Sequence, residues 1–176
     1  DVKPFVKLGS AMRIFSLDCD FLGVDPVAGE PISAFTKHRA KTKETTEAEM
    51  NRLYVLENRY TLTGGMADHR KPIAASLIPV AAAVIAAQLG DASAKALADT
   101  APASLKEWIA PAVRDLIDNK GKAVVIAGSR YGAEVHALVA SINNALGAYG
   151  STIDLLQGAA SPELGTFADL QTAIAG

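Results

Sequence analysis

The run Ala123-Val124-Val125-Ile126-Ala127 constrains the fold more than any other stretch, because it is unbroken, apolar, largely β-branched and short. A strand with one wet face alternates apolar and polar residues, whereas a continuous run needs cover on both faces, as a central strand of a parallel sheet has. The run leads straight into Gly128-Ser129-Arg130-Tyr131-Gly132, a glycine-bounded turn. A helix follows: Val135, Leu138, Val139, Ile142, Ala145 and Leu146 recur at helical spacing, and Gly147 is its stop.

Strand and helix signals alternate along the rest of the chain. Met12-Arg13-Ile14-Phe15-Ser16-Leu17 reads as a strand ending in the loop Asp18-Cys19-Asp20, and residues 29–43 hold a short surface helix from Ile32. Residues 53–56 form a second strand, followed by a Thr/Gly-rich loop that closes on Asp68-His69-Arg70. Ser76 is suited to cap the next helix, with Pro79 in its first turn, where a missing N–H costs little. Residues 80–89 are apolar all round, which predicts a covered helix, and Gly90 ends it. A second short helical stretch spans 91–100 and closes at Ala101-Pro102.

Ser104 and Glu107 stand three residues apart, as in a capping box, ahead of an amphipathic pattern at Leu105, Trp108, Ile109, Val113, Leu116 and Ile117. Pro111 is expected to kink or split that helix, and Asn119-Lys120-Gly121 to stop it. A last strand near 152–156 and a helix over 162–174 complete the pattern. The predicted fold is a three-layer α/β/α domain with a mainly parallel sheet, Rossmann-like. It is a single α/β domain over 1–176, which could divide into sub-lobes 1–100 and 101–176.

Bulk properties exclude several function classes. With 176 residues and 49% apolar content the chain can bury a proper core. A formal charge of −2 gives no field to attract nucleic acid or an anionic membrane, and the charges over 37–49 alternate in sign. Cys19 is the single cysteine, so internal disulfides, a CxxC motif and an iron–sulfur cluster held by this chain alone are ruled out. The longest apolar stretch, 77–89, carries Pro79 and Gln88 and falls short of the ~20 residues of a spanning helix, so direct membrane insertion is not expected. The chain begins Asp1-Val2-Lys3 without methionine, which suggests a segment of a larger protein.

Chemistry, if present, belongs to the loops that leave the carboxyl ends of the strands, since ligands bind there in open parallel sheets. The turn Gly128-Ser129-Arg130 stands at a helix start, whose unpaired N–H groups suit a phosphate or carboxylate; equally, it is an ordinary βα turn capped by Ser129. Asp18 and Asp20 share a face if their strand stays extended, and suit a cation or ribose hydroxyl, or simply cap and turn the chain. Thr63 lies in the polar loop, and Asp68 either orients His69 for acid–base work or pins the loop with Arg70. Cys19 has no cationic neighbour in sequence to activate it. His38 and His136 are isolated. No GxGxxG, Walker A, nucleophile elbow, HExxH or paired-cysteine metal motif occurs.

Three ordered stretches resemble one family. They are residues 12–23, ending Leu17-Asp18-Cys19-Asp20-Phe21-Leu22-Gly23; residues 50–70, especially Leu56-Glu57 and Thr61-Leu62-Thr63-Gly64-Gly65-Met66-Ala67-Asp68-His69-Arg70; and Val124-Val125-Ile126-Ala127-Gly128 with Glu134-Val135-His136-Ala137-Leu138 and Ile142-Asn143-Asn144-Ala145-Leu146-Gly147. Together, over roughly 11–157, they are similar to the molybdopterin oxidoreductase-like large subunit of bacterial respiratory complexes. The nearest likeness is to the molybdopterin-like iron–sulfur subunit of alternative complex III, a quinol-oxidising assembly. The resemblance implies a middle α/β domain whose strand-end loops face a molybdopterin guanine dinucleotide crevice. On that basis Asp18, Asp20, Thr63, Asp68, His69, Gly128, Ser129 and Arg130 are the candidate cofactor-binding residues. It implies no catalytic or metal-ligating residue and no cofactor in the segment itself, with the dinucleotide belonging to the parent protein if anywhere. Other domains of the same subunit and other respiratory subunits are the implied partners, in the periplasm or at the outer face of the cytoplasmic membrane. In that branch the domain serves as scaffold; a pterin-dinucleotide-binding domain of an active molybdenum or tungsten enzyme, and a stand-alone nucleotide- or anion-binding module, are the alternatives.

Overall fold

The computed structural model describes residues 2–25, 27, 29–30, 32–39 and 50–157. Its centre is a four-stranded parallel sheet of β2 (Arg13–Leu17), β3 (Arg52–Glu57), β4 (His69–Pro72) and β5 (Ala123–Ala127), in the order β4-β3-β2-β5. Leu17 lies level with Leu56 and with Ala127, so the strand exits at Asp18, Asn58 and Gly128 gather at one edge. Apart from this sheet, β1 (Val2–Val6) and β6 (Ile153–Gln157) form an antiparallel ribbon with Val6 opposite Ile153.

Side chains alternate across the sheet and build a core on each face. Phe15, Leu17, Tyr54, Leu56 and Val125 point toward the helical layer of α3 (Ile78–Gln88), α4 (Lys95–Asp99), α5 (Ala103–Asp118) and α6 (Ala133–Ala145). Ile14, Leu53, Val55, Val124 and Ile126 face the other way, against Phe35 of α1 (Ile32–Lys37) and against Val6 and Ile153 of the ribbon. The fold is a mixed, Rossmann-like α/β domain whose second covering layer is one short helix and a ribbon. Burying a side chain such as Ile85 or Leu105 contributes about 1.5–3 kcal/mol. The alanines at 81–83 and 86 keep α3 slim enough to lie flat among α4, α5 and α6.

At the amino end of the sheet, α5 is latched by Asp115. Its carboxylate accepts from Arg13 Nε at 2.7 Å, Arg52 Nη1 at 2.8 Å and the Tyr54 hydroxyl at 2.7 Å. Trp108 of the same helix meets Phe15 and Tyr54 edge-on, with ring centroids 6.0 and 6.4 Å apart.

The run 123–127 is buried on both faces as expected, yet β5 stands at an edge of the sheet. Among the described residues no strand pairs with this edge, and two side chains take the place of one. The Asn143 carboxamide accepts from Val125 N–H at 2.9 Å and donates to Val125 C=O at 2.8 Å, while the Thr152 hydroxyl donates to Ala123 C=O at 2.9 Å. Buried backbone polar groups need partners, and these side chains supply them.

Several local expectations are corrected. The capping box at Ser104 and Glu107 does not form, because Pro102 (φ −55°) lets α5 begin at Ala103 and places Ser104 inside the first turn. Pro111 does not split α5, whose apolar face packs on both sides of it at Leu105, Ile109, Val113 and Leu116. A short 3-10 turn over Ala75–Leu77 puts Leu77 rather than Ser76 at the cap of α3, with Pro79 in the first turn as read. Within the Thr/Gly loop a single helical turn, α2 (Leu62–Gly65), is capped by Thr61, whose hydroxyl accepts from Gly64 N–H at 3.0 Å. The loop's end is the edge strand β4. The surface helix α1 is anchored by a fully buried Phe35, and the last strand joins the ribbon rather than the parallel sheet. The helix over 162–174 and most of the alternating charge run lie outside the described residues. Among the described residues no helix is long and apolar enough to cross a membrane.

Candidate functional site at the carboxyl edge of the sheet

Asp18 leaves β2 with φ +52°, a left-handed conformation that aspartate tolerates better than most residues. This twist rotates its side chain away from that of Asp20, so the two do not share a face. The buried Asp18 carboxylate accepts from Arg130 and from the Tyr131 hydroxyl, both of the β5 exit, and from Asn58 N–H of the β3 exit at 3.3 Å. Arg130 also donates to Asn58 Oδ1 at 3.2 Å and lies over the Tyr131 ring. The turn itself is fixed by Ser16, whose hydroxyl donates to Cys19 C=O at 2.8 Å and accepts from Cys19 N–H at 3.1 Å.

Asp20 ties the same loop to α2. Its Oδ1 accepts from Thr63 N–H at 3.0 Å and the Thr63 hydroxyl at 2.9 Å, and its Oδ2 from Val24 N–H at 3.3 Å. Burial alone raises a carboxyl pKa, but the hydrogen bonds from Thr63 and Val24 outweigh it and hold Asp20 below the ordinary carboxylate range. Asp25 closes the circuit, accepting from Asp20 N–H at 2.7 Å and the Ser129 hydroxyl at 3.1 Å. Burial first, then the negative charges of Asp25 and Asp20, push the Cys19 thiol up, which disfavours the thiolate form. Beside this circuit the buried Glu57 accepts from the Thr61 hydroxyl at 2.6 Å and pairs with Arg70, whose guanidinium lies over the Tyr60 ring.

The glycines at this edge answer to neighbouring protein atoms. A side chain at Gly128 would strike the Asp18 carbonyl oxygen, and one at Gly64 the Glu57 carboxylate. At the start of α6, Gly132 occupies the cap position without a side-chain bond, so Ser129 is not the cap. The Glu134 carboxylate lies beside Gly132, where it meets the positive end of the helix.

Of the residues predicted to bind a cofactor, Asp18, Asp20, Thr63, Gly128, Ser129 and Arg130 come together here. Asp68 and His69 do not, because β4 starts level with Tyr54, toward the opposite edge of the sheet. There Asp68 accepts from both terminal guanidinium nitrogens of Arg39 at 2.8 and 2.9 Å and from Leu53 N–H at 2.7 Å, so the loop is pinned through Arg39, whereas Arg70 pairs with Glu57. Burial raises the Asp68 pKa, and the Arg39 and Leu53 hydrogen bonds outweigh it and lower it. His69 stacks on Tyr54 with ring centroids 4.9 Å apart. Sequence reasoning missed Asp25, Asn58 and Tyr131 as members of the network. The spacing of Asp25 from the Asp18-Cys19-Asp20 turn was the available signal.

In comparison with known proteins, no family model matches the chain and no curated protein matches it. What the fold and the edge define is a Rossmann-like α/β domain whose strand-end loops are held to one another by acceptor carboxylates. Chemically, this arrangement fixes loop geometry: each carboxylate is met by donors from a neighbouring segment.

Proposed function

We propose that this chain is a scaffold domain of a molybdopterin oxidoreductase-like respiratory electron-transfer subunit, similar to that of a quinol-oxidising complex, with a vestigial dinucleotide crevice. The observation that carries the scaffold reading is the engagement of Arg130. The guanidinium that would meet a diphosphate is held by Asp18 and Asn58, and Glu134 occupies the adjoining helix start. As arranged, these residues do not fit a pterin dinucleotide. The ordered motifs over 11–157 support the family placement. The parent subunit, in this reading, works at the outer face of the cytoplasmic membrane, against other domains and other respiratory subunits.

An amide NMR titration with GDP, a mimic of the dinucleotide end, separates the readings. No saturable shift at millimolar GDP over 18–23, 57–64 and 128–133 is expected. Saturable shifts there would overturn the scaffold reading in favour of a working pterin-dinucleotide domain. Shifts with inorganic phosphate confined to 128–133 would favour a stand-alone anion-binding module. The coding sequence on either side tests the placement itself: iron–sulfur cysteine clusters in the same frame support it, and a frame closing at this segment's own ends overturns it.

A further inference from the structure

A groove of about 360 Å³ runs along the edge of β5, between α6 and the ribbon, and adjoins the carboxylate network at Ser129. Sites for small ligands measure roughly 300–1,000 Å³ and combine apolar walls with a few polar groups. Here the buried Val6, Val125, Val139 and Ile153 supply the apolar walls.

The ionisable residues that line the groove are Lys3, His136 and Tyr149, with no aspartate or glutamate among them, in a chain whose formal charge is −2. Among the described residues Lys3 makes no salt bridge, whereas Lys7, just past β1, is held by Asp154 at 2.8 Å. The backbone contributes as well. Val125 turns its N–H and C=O outward to Asn143, and Ala127, two residues on, turns its own the same way, into the groove.

Asn143 also decides what kind of occupant fits. Because it covers Val125, an added strand finds no continuous ladder along β5, and the opening is suited to a small molecule. We propose that the groove binds an amphipathic monoanion of medium-chain carboxylate type. Its apolar body lies in the trough between Val139 and Val6, and its carboxylate meets Lys3 and the His136 imidazole at the mouth. This inference does not rest on the respiratory placement.

The test is an amide NMR titration of the 176-residue chain with octanoate, kept below micelle-forming concentration, beside n-octylamine. Saturable octanoate shifts at Val6, Val125, Ala127 and Val139 are expected, with octanoate binding about tenfold or more tighter than the amine. Ala140→Trp, at an exposed position on the groove wall, should fill the trough and abolish those shifts with the rest of the spectrum retained. Lys3→Glu should weaken octanoate by about tenfold while leaving the core untouched. No saturable octanoate shift, shifts that survive Ala140→Trp, or equal affinity for the amine would each overturn the proposal.

Discussion

A single carboxylate, Asp20, joins the exit of β2 to α2, and its removal has a definite cost. Asp20→Ala leaves Thr63 N–H, the Thr63 hydroxyl and Val24 N–H without their acceptor. The expected loss is about 3 kcal/mol in urea unfolding. Its pKa is lowered in the folded state, so its contribution is complete above the unfolded aspartate value of about 3.9 and fades as pH falls through the folded value. Urea midpoints measured from pH 7 down to about 3 should therefore fall on acidification, and the fall should be shallower in Asp20→Asn. Gly64→Ala should destabilise by about 1–3 kcal/mol, because its methyl group meets the Glu57 carboxylate rather than open space. At this scale the sequence disclosed which residues matter at the edge more readily than what they do. Asp18 and Asp20 were legible as strand-end aspartates, but the left-handed twist at Asp18 that separates them is a backbone property that no spacing reveals. That Arg130 turns onto Asp18 follows from a contact across more than a hundred residues of chain.

Elements that carry their own apolar pattern, periodic or continuous, were read correctly, and those set by tertiary pairing were not. β2, β3, β5, α3 and α6 carry their own patterns of apolar residues, and they appear where the sequence put them. β4 consists of His69-Arg70-Lys71-Pro72, with no apolar alternation, and exists because β3 offers it an edge. β1 has no partner until β6 arrives some 150 residues later, so its local sequence could not announce it. Pro111 illustrates the converse: the local penalty is real, but packing along the buried face of α5 outweighs it. The edge position of β5 was hidden for a related reason, since Asn143 reads as an ordinary helix residue. Asn143→Ala should cost about 2–3 kcal/mol by uncovering Val125 N–H and C=O. Denaturant titration checks the stability, and faster hydrogen exchange at the Val125 amide checks the cause.

Across the whole molecule, stability is distributed unevenly. The parallel sheet is covered on both faces, whereas the ribbon has only two strands and leaves Leu155 and Leu156 about half exposed. A two-stranded unit is marginal by itself and opens more readily than a covered sheet. Native-state hydrogen exchange should show ribbon amides such as Asp154 exchanging ahead of Phe15, Val55 and Ile126; equal protection would mean that ribbon and sheet open as one unit. The carboxamide on β5 carries a last consequence, for colloidal behaviour. A β-branched strand with an open edge is a template for cross-β stacking, copy upon copy, and the Asn143 carboxamide, helped by Thr152, keeps this one from acting as such. Loss of Asn143 should therefore show itself in concentrated solution as thioflavin-positive fibrils, from a chain whose native fold contains no amyloid at all.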